Sequence, residues 1–253
     1  MTDLLAYQYV LIALIFIWSG FVRSGLGFGG AALSLPFLLL VTNQPLVFLP
    51  IVAIQLLFFS SLTLYTSRRG SASGLAQQID WPYLKKAMII LIIPKLIGVF
   101  GLLTLSNEIM SIIIFLIVGF YAVTYLLNKT IKSNPKLDVL FLALGGYMSG
   151  TSLIGAPLII AVVTNHVAKE QLRNTLFALW FVLVWIKMAA FIWVGVDLQL
   201  IHQLWLLPAA GIGHWIGLKA HDYLLRTDSS KFYRVMGAVL LFISTLGVIR
   251  TFW

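Results

Sequence analysis

Gly25-Leu26-Gly27-Phe28-Gly29-Gly30-Ala31-Ala32-Leu33-Ser34-Leu35-Pro36 runs on to Val41-Thr42-Asn43. About 120 residues later, Gly146-x-x-x-Gly150 continues through Pro157 to Val163-Thr164-Asn165. The two Gly-x-x-x-Gly pairs and the two prolines align at one offset, and the Val-Thr-Asn triplet needs one extra residue in the second copy. Each copy lies in an apolar run interrupted by small residues, the pattern of a broken membrane helix in a transporter built from repeats. The competing reading is two unrelated helix-packing faces of the small-xxx-small kind, which need bind nothing.

Composition places the chain in a membrane. Hydrophobic residues make up 60% of the 253 and charged residues 10%, with a mean hydropathy of +1.00. A soluble domain is about half apolar and a quarter charged. Apolar runs at 4–20, 46–65, 83–105, 109–127, 172–195, 200–218 and 233–253 each approach the ~20 residues that a spanning helix needs. Two shorter pieces, 31–42 and 156–164, are about half that length and read as re-entrant half-helices, each forming a V with the segment before it. Backbone at such a break cannot face lipid, so both tips must lie in protein or line a wet cavity. Met1-Thr2-Asp3 lacks the positive stretch of a cleavable signal, so the first helix is expected to remain. With no cysteine, a disulfide framework and a thiolate metal or redox site are excluded.

The formal charge of +9 reflects orientation rather than nucleic-acid binding, because Lys and Arg lie mostly in connections between helices. Arg68, Arg69, Lys85 and Lys86 flank one connection. Lys129, Lys132 and Lys136 fill another, while Lys169 with Arg173, and Lys219 with Arg226, Lys231 and Arg234, mark two more. These connections are expected on the cytoplasmic side, and those at 106–108 and 195–199, which carry no Lys or Arg, outside. If each V returns to its starting face, the loop before Leu46 is external and the loop before Leu172 cytoplasmic. The sequence therefore predicts an all-α membrane protein with inverted repeats, each a re-entrant V of broken helices plus three transmembrane helices. The first repeat covers 1–130 with its V at 4–42, and the second covers 131–253 with its V at 137–165.

Half-helices beginning near Gly30 and Thr151 would present unpaired N–H groups and roughly half a positive charge at the tips, which attracts an anion. Gly27, Gly29 and Gly30 would let a ligand approach the backbone, and Ser149, Thr151 and Ser152 offer hydroxyls. Arg23 precedes the first tip and suits a bidentate oxyanion contact, or else caps a helix end. Lys187 and Lys95 enter apolar runs, where an unpaired lysine costs about 2.5 to 3.5 kcal/mol. An anionic substrate would offset that cost, and snorkelling is the alternative. Gln55, midway along its run, could donate to a substrate oxygen or to a neighbouring helix.

All eight acidic residues fall at helix ends or in connections on this map. A cation channel, a metal transporter or a carboxylate proton relay would want acid within the span. The four histidines show no metal-ligand spacing. No triad, P-loop or hydrolase elbow is visible, so neither an enzyme nor a cofactor is expected.

The segments G-L-G-F-G-G-A-A-L-S-L-P and G-G-Y-M-S-G-T-S-L-I-G-A-P, each opening one half of about 250 apolar residues, resemble the TauE/SafE family of sulfite exporters. The resemblance covers essentially the whole chain. It implies a multi-pass protein of the cytoplasmic (inner) membrane that moves sulfite or related sulfur anions, driven by an ion or substrate gradient. It also puts Gly25, Gly27, Gly29, Gly30 and Pro36, and Gly146, Gly150, Gly155 and Pro157, on paired family segments. The second copy departs in having Thr151-Ser152 where the first has Gly30-Ala31. The expected function is export of a small sulfur oxyanion, chiefly sulfite, by alternating access. An anion channel, or a carrier of other organosulfur or carboxylate anions, is the alternative. The partners expected are a small anionic substrate, the lipid bilayer and a second copy in a homodimer, with no nucleic acid.

Overall fold

The structure, a computed structural model, describes residues 4–26, 30–69, 79–127, 134–226 and 229–252. Among these residues every regular element is a helix. The ten are α1 Ala6–Leu26, α2 Gly30–Val41, α3 Pro45–Arg69, α4 Trp81–Leu103, α5 Asn107–Leu127, α6 Pro135–Ser152, α7 Ala156–Val163, α8 Lys169–Val194, α9 Leu200–Arg226 and α10 Ser229–Phe252. Six of them, α1, α3, α4, α5, α8 and α10, are long and apolar enough to cross a bilayer. The sequence predicts seven such spans. The seventh, α9, has the length at 27 residues, but His202, Gln203, Pro208 and His214 dilute its apolar character. At 12 and 8 residues, α2 and α7 rise only about 18 and 12 Å against a hydrocarbon core of about 30 Å.

Local chemistry sets several of the boundaries. Asp80 caps α4, its carboxylate accepting from the Tyr83 N–H at 3.0 Å, and Pro82 sits where a missing N–H does no harm. Asn134 caps α6 in the same way, accepting from the Lys136 N–H at 3.1 Å ahead of Pro135. Gly195 stops α8 with φ +78, and the Gly195 and Val196 N–H groups fold back onto the carbonyls of Ile192 and Phe191 at 3.2 and 2.9 Å. A left-handed residue is needed to make that closure, and only glycine takes the conformation without strain.

Apolar residues cover the exposed faces as well as the buried ones. On α4, Ile89, Ile93 and Ile97 are 73, 67 and 61% exposed, an i, i+4, i+8 stripe that only lipid would tolerate. The opposite stripe, Leu91, Lys95, Gly98 and Leu102, is buried.

The helices group into two compact units. The first comprises Met1–Ile51, Leu105–Lys129 and Asp197–Trp253, and the second Val52–Thr104 and Thr130–Val196. Each draws helices from both halves of the chain. In the first unit α1 packs along α9, α2 lies beside α1 and α10, and α5 packs on α10. A Cβ added to Gly213 of α9 would overlap the backbone carbonyl of Ile17 on α1, so this close approach depends on glycine. In the second unit α4 packs along α6, α7 folds back on α6, and α8 lies against α4 and α7. Leu91, Leu142, Ile159, Val162, Leu179 and Leu183 form the centre of its core.

Candidate anion site at the broken helices

In the second unit the half-helix begins at Ala156, as the 156–164 piece predicts, but the turn before it falls later than the tip expected near Thr151. α6 continues through Ser152 and is ended by Leu153 in the left-handed conformation at φ 61, its N–H bonding the Ser149 carbonyl at 3.2 Å. α7 then starts at Ala156, the start of the expected 156–164 half-helix and five residues beyond the tip position near Thr151. Gly150, Thr151 and Ser152 therefore sit on the last turn of α6, which ends in carbonyls, and not on the N–H end of a half-helix. The Thr151 hydroxyl donates to the Met148 carbonyl at 3.1 Å and the Ser152 hydroxyl to the same carbonyl at 2.9 Å. Both are satisfied within their own helix.

What converges on this turn is positive charge. Lys95 of α4 donates from Nζ to the Ser149 carbonyl at 3.2 Å and to Ser149 Oγ at 3.0 Å. Lys187 of α8 donates to the carbonyls of Gly150 at 2.6 Å and Thr151 at 3.0 Å. Its ammonium also stands 5.3 Å from the Phe191 ring centroid. Both lysines are 0% exposed, and among the described residues neither has a carboxylate at salt-bridge distance. The carbonyl end of a helix carries roughly half a negative charge, which offsets part of the cost of burying two cations. Each ammonium has three donors and spends two on α6.

The glycines at this turn have a packing reason for being glycine. A Cβ on Gly150 would overlap the Lys95 carbonyl, and one on Gly155 the Gly145 carbonyl. This is the small-residue contact that lets α4 and α6, and the two arms of the V, approach.

In the first unit α2 begins at Gly30, where the sequence predicts it, while Gly27 and Gly29 lie outside the described residues. Arg23, on the last turn of α1, is buried at 4% exposure. A Cβ at Gly30 would come within 3.0 Å of Arg23 Cβ and of the Ser19 carbonyl, so the start of α2 rests on that arginine's stem. The Gly30 carbonyl accepts from Ser19 Oγ at 3.2 Å and from Ser34 Oγ, and Ser24 Oγ is hydrogen-bonded to His214 Nδ1. Gln55 is buried on α3, and among the described residues its amide nitrogen has no hydrogen-bond partner.

Of the expected residues, then, the structure brings Gly150, Thr151, Ser152, Gly155 and Lys187 together. Lys95 and Ser149, also offered by the sequence, join them through the Lys95 hydrogen bonds, while Arg23 and Gly30 stand at the other break. Lys95 as a full member of the group was readable from its place on the buried stripe of α4, four residues beyond Leu91 and three before Gly98. The acceptor role of Ser149 had no sequence signal.

Long apolar helices with lipid-facing stripes, two helices too short to span, and buried cations at a helix break define an all-helical membrane protein. The family model described as "Sulfite exporter TauE/SafE" matches residues 11–247, nearly the whole chain, and the chain belongs to this family of membrane transporters. No curated protein and no solved structure matches it.

Proposed function

We propose that this protein exports a small sulfur oxyanion, with sulfite as its substrate, across the cytoplasmic membrane by alternating access. The observation that carries the proposal is the pair of buried lysines at the α6–α7 break, without a carboxylate partner among the described residues. One donor on each ammonium is left over, and a doubly charged oxyanion held between them would accept from both and balance their charge. Family membership supplies the sulfur chemistry. Each break also carries positive potential of its own, from Arg23 and the N-terminus of α2 in the first unit and from the N-terminus of α7 in the second.

The arrangement of helices supports inverted repeats as the moving parts. Matching the halves in order pairs α1 with α6, α2 with α7 and α4 with α9. The V of the first half packs on α9 and that of the second on α4, so one contact is made twice with partners exchanged between halves. The re-entrant V at 4–42 and its counterpart at 137–165 would then open from opposite sides of the membrane.

Reconstitution into liposomes tests this reading. Radiolabelled sulfite is expected to enter sulfite-loaded vesicles by a saturable route that internal sulfite accelerates. A flux that never saturates and is indifferent to internal sulfite would identify a channel, and no flux above protein-free vesicles would refute transport of sulfite.

A further inference from the structure

The second unit holds a cavity of about 230 Å³ among the first turns of α4 and α6 and the end of α7. Its floor is apolar, from Ala87, Ile90, Leu142 and Val162, and its rim is ionisable. At the rim Asp138 of α6, buried, meets His166 of the α7–α8 connection, with His166 Nε2 2.8 Å from Asp138 Oδ2. Tyr83 stacks on the imidazole with centroids 5.4 Å apart and an interplanar angle of 20°. Its hydroxyl is buried with no hydrogen-bond partner among the described residues. Lys86 of α4 lines the same cavity. The other charged groups near the pair are Asp80, which caps α4, exposed Lys136 at the start of α6, and exposed Lys169 and Glu170 at the start of α8.

Two geometric facts make this more than a surface ion pair. The pair joins the beginning of α6 to the residue three beyond α7, so it closes the open end of the V. The cavity also shares its helices α4 and α6 with the lysine site. Lys95 is five residues beyond Ile90, and Ser149 seven beyond Leu142, or about 7 to 11 Å at helical rise.

We propose that Asp138 and His166 form a proton-binding site that gates entry of the anion to the lysine pair. With a neutral imidazole the pair carries one negative charge at the mouth and repels an anion. A proton taken up by the imidazole makes the pair neutral and opens the way electrostatically. Imidazole is the side chain suited to that exchange, since it gains and loses its charge between about pH 5 and 8. The proposal rests on the transport reading and adds its regulation by protons.

The test is labelled sulfite exchange in proteoliposomes with equal pH on both faces, comparing the wild type with Asp138→Asn and His166→Gln. Sulfite's own protonation is common to the three proteins and cancels in variant-to-wild-type ratios. Asp138→Asn leaves the mouth one charge more positive than the wild type at either pH, so its ratio is expected to stay above one throughout, at roughly tenfold. His166→Gln keeps the carboxylate and cannot be protonated, so its ratio is expected near one at about pH 8 and well below one at about pH 5.5. Opposite directions are the signature of a charge gate. A His166→Gln ratio that stays at one near pH 5.5, an Asp138→Asn ratio at or below one, or ratios that fall together in both variants as a merely structural tie would require, overturn the gate and leave the transporter standing. No exchange by the wild type would overturn the transport reading and the gate with it.

Discussion

Lys95 and Lys187 are cations kept in a dry interior by a helix end that compensates them only in part. A buried ion loses several kcal/mol of hydration, whereas an abandoned carbonyl costs about 1 to 3 kcal/mol. Burying the charge therefore costs more than leaving the carbonyls unpaired. Lys187→Met and Lys95→Met keep the chain length of the side chain and give up its charge. Each is expected to leave the anion-free protein at least as resistant to thermal unfolding in detergent as the wild type. A marked fall in the midpoint of both would mean that the lysines are structural caps. At this scale the sequence showed where charge enters the apolar runs, at Arg23, Lys95 and Lys187. It hid where α6 stops, because the stop is a leucine in the left-handed region, and no glycine announces it. One turn of error moved Thr151 and Ser152 from the N–H end of one helix to the carbonyl end of another.

Helix–helix contact in both units depends on missing side chains, and α4 allows a controlled comparison. A Cβ at Gly98 would overlap the Tyr147 carbonyl and lie 3.2 Å from the Thr151 nitrogen, whereas a Cβ at Gly101 would meet nothing within 4 Å. Gly98→Ala is expected to destabilise the protein by about 1 to 3 kcal/mol through overpacking on α6. Gly101→Ala, three residues on, is expected to gain up to about 1 kcal/mol from helix propensity. Equal midpoints for the two variants in thermal unfolding would contradict the close approach of α4 and α6. Helices were the most legible level of the sequence, because runs of about 20 apolar residues have few alternatives. The exception is α9, where three histidines, a glutamine and a proline occupy a helix that packs along α1.

For the whole molecule the account predicts that Thr42 faces outside and Asn165 the cytoplasm, as the Lys and Arg distribution requires. The chain has no cysteine, so Thr42→Cys and Asn165→Cys can be labelled in intact cells with an impermeant maleimide against a silent background. Thr42→Cys is expected to react and Asn165→Cys only after lysis. Reaction of both in intact cells would rule out opposite orientation of the halves. The proposed repeat rests on two glycine pairs and two prolines at one offset. That the compact units would each mix helices of both halves was not, since a local pattern holds no information about which distant helix it packs against.

The central claim is that the two lysines at the α6–α7 break hold the oxyanion, and calorimetric titration of purified protein with sulfite tests it most directly. Two charged hydrogen bonds contribute about 1.5 to 3 kcal/mol each, so Lys95→Met combined with Lys187→Met is expected to weaken binding by roughly a hundredfold or more. Sulfite binding of wild-type strength in the doubly substituted protein would contradict the account.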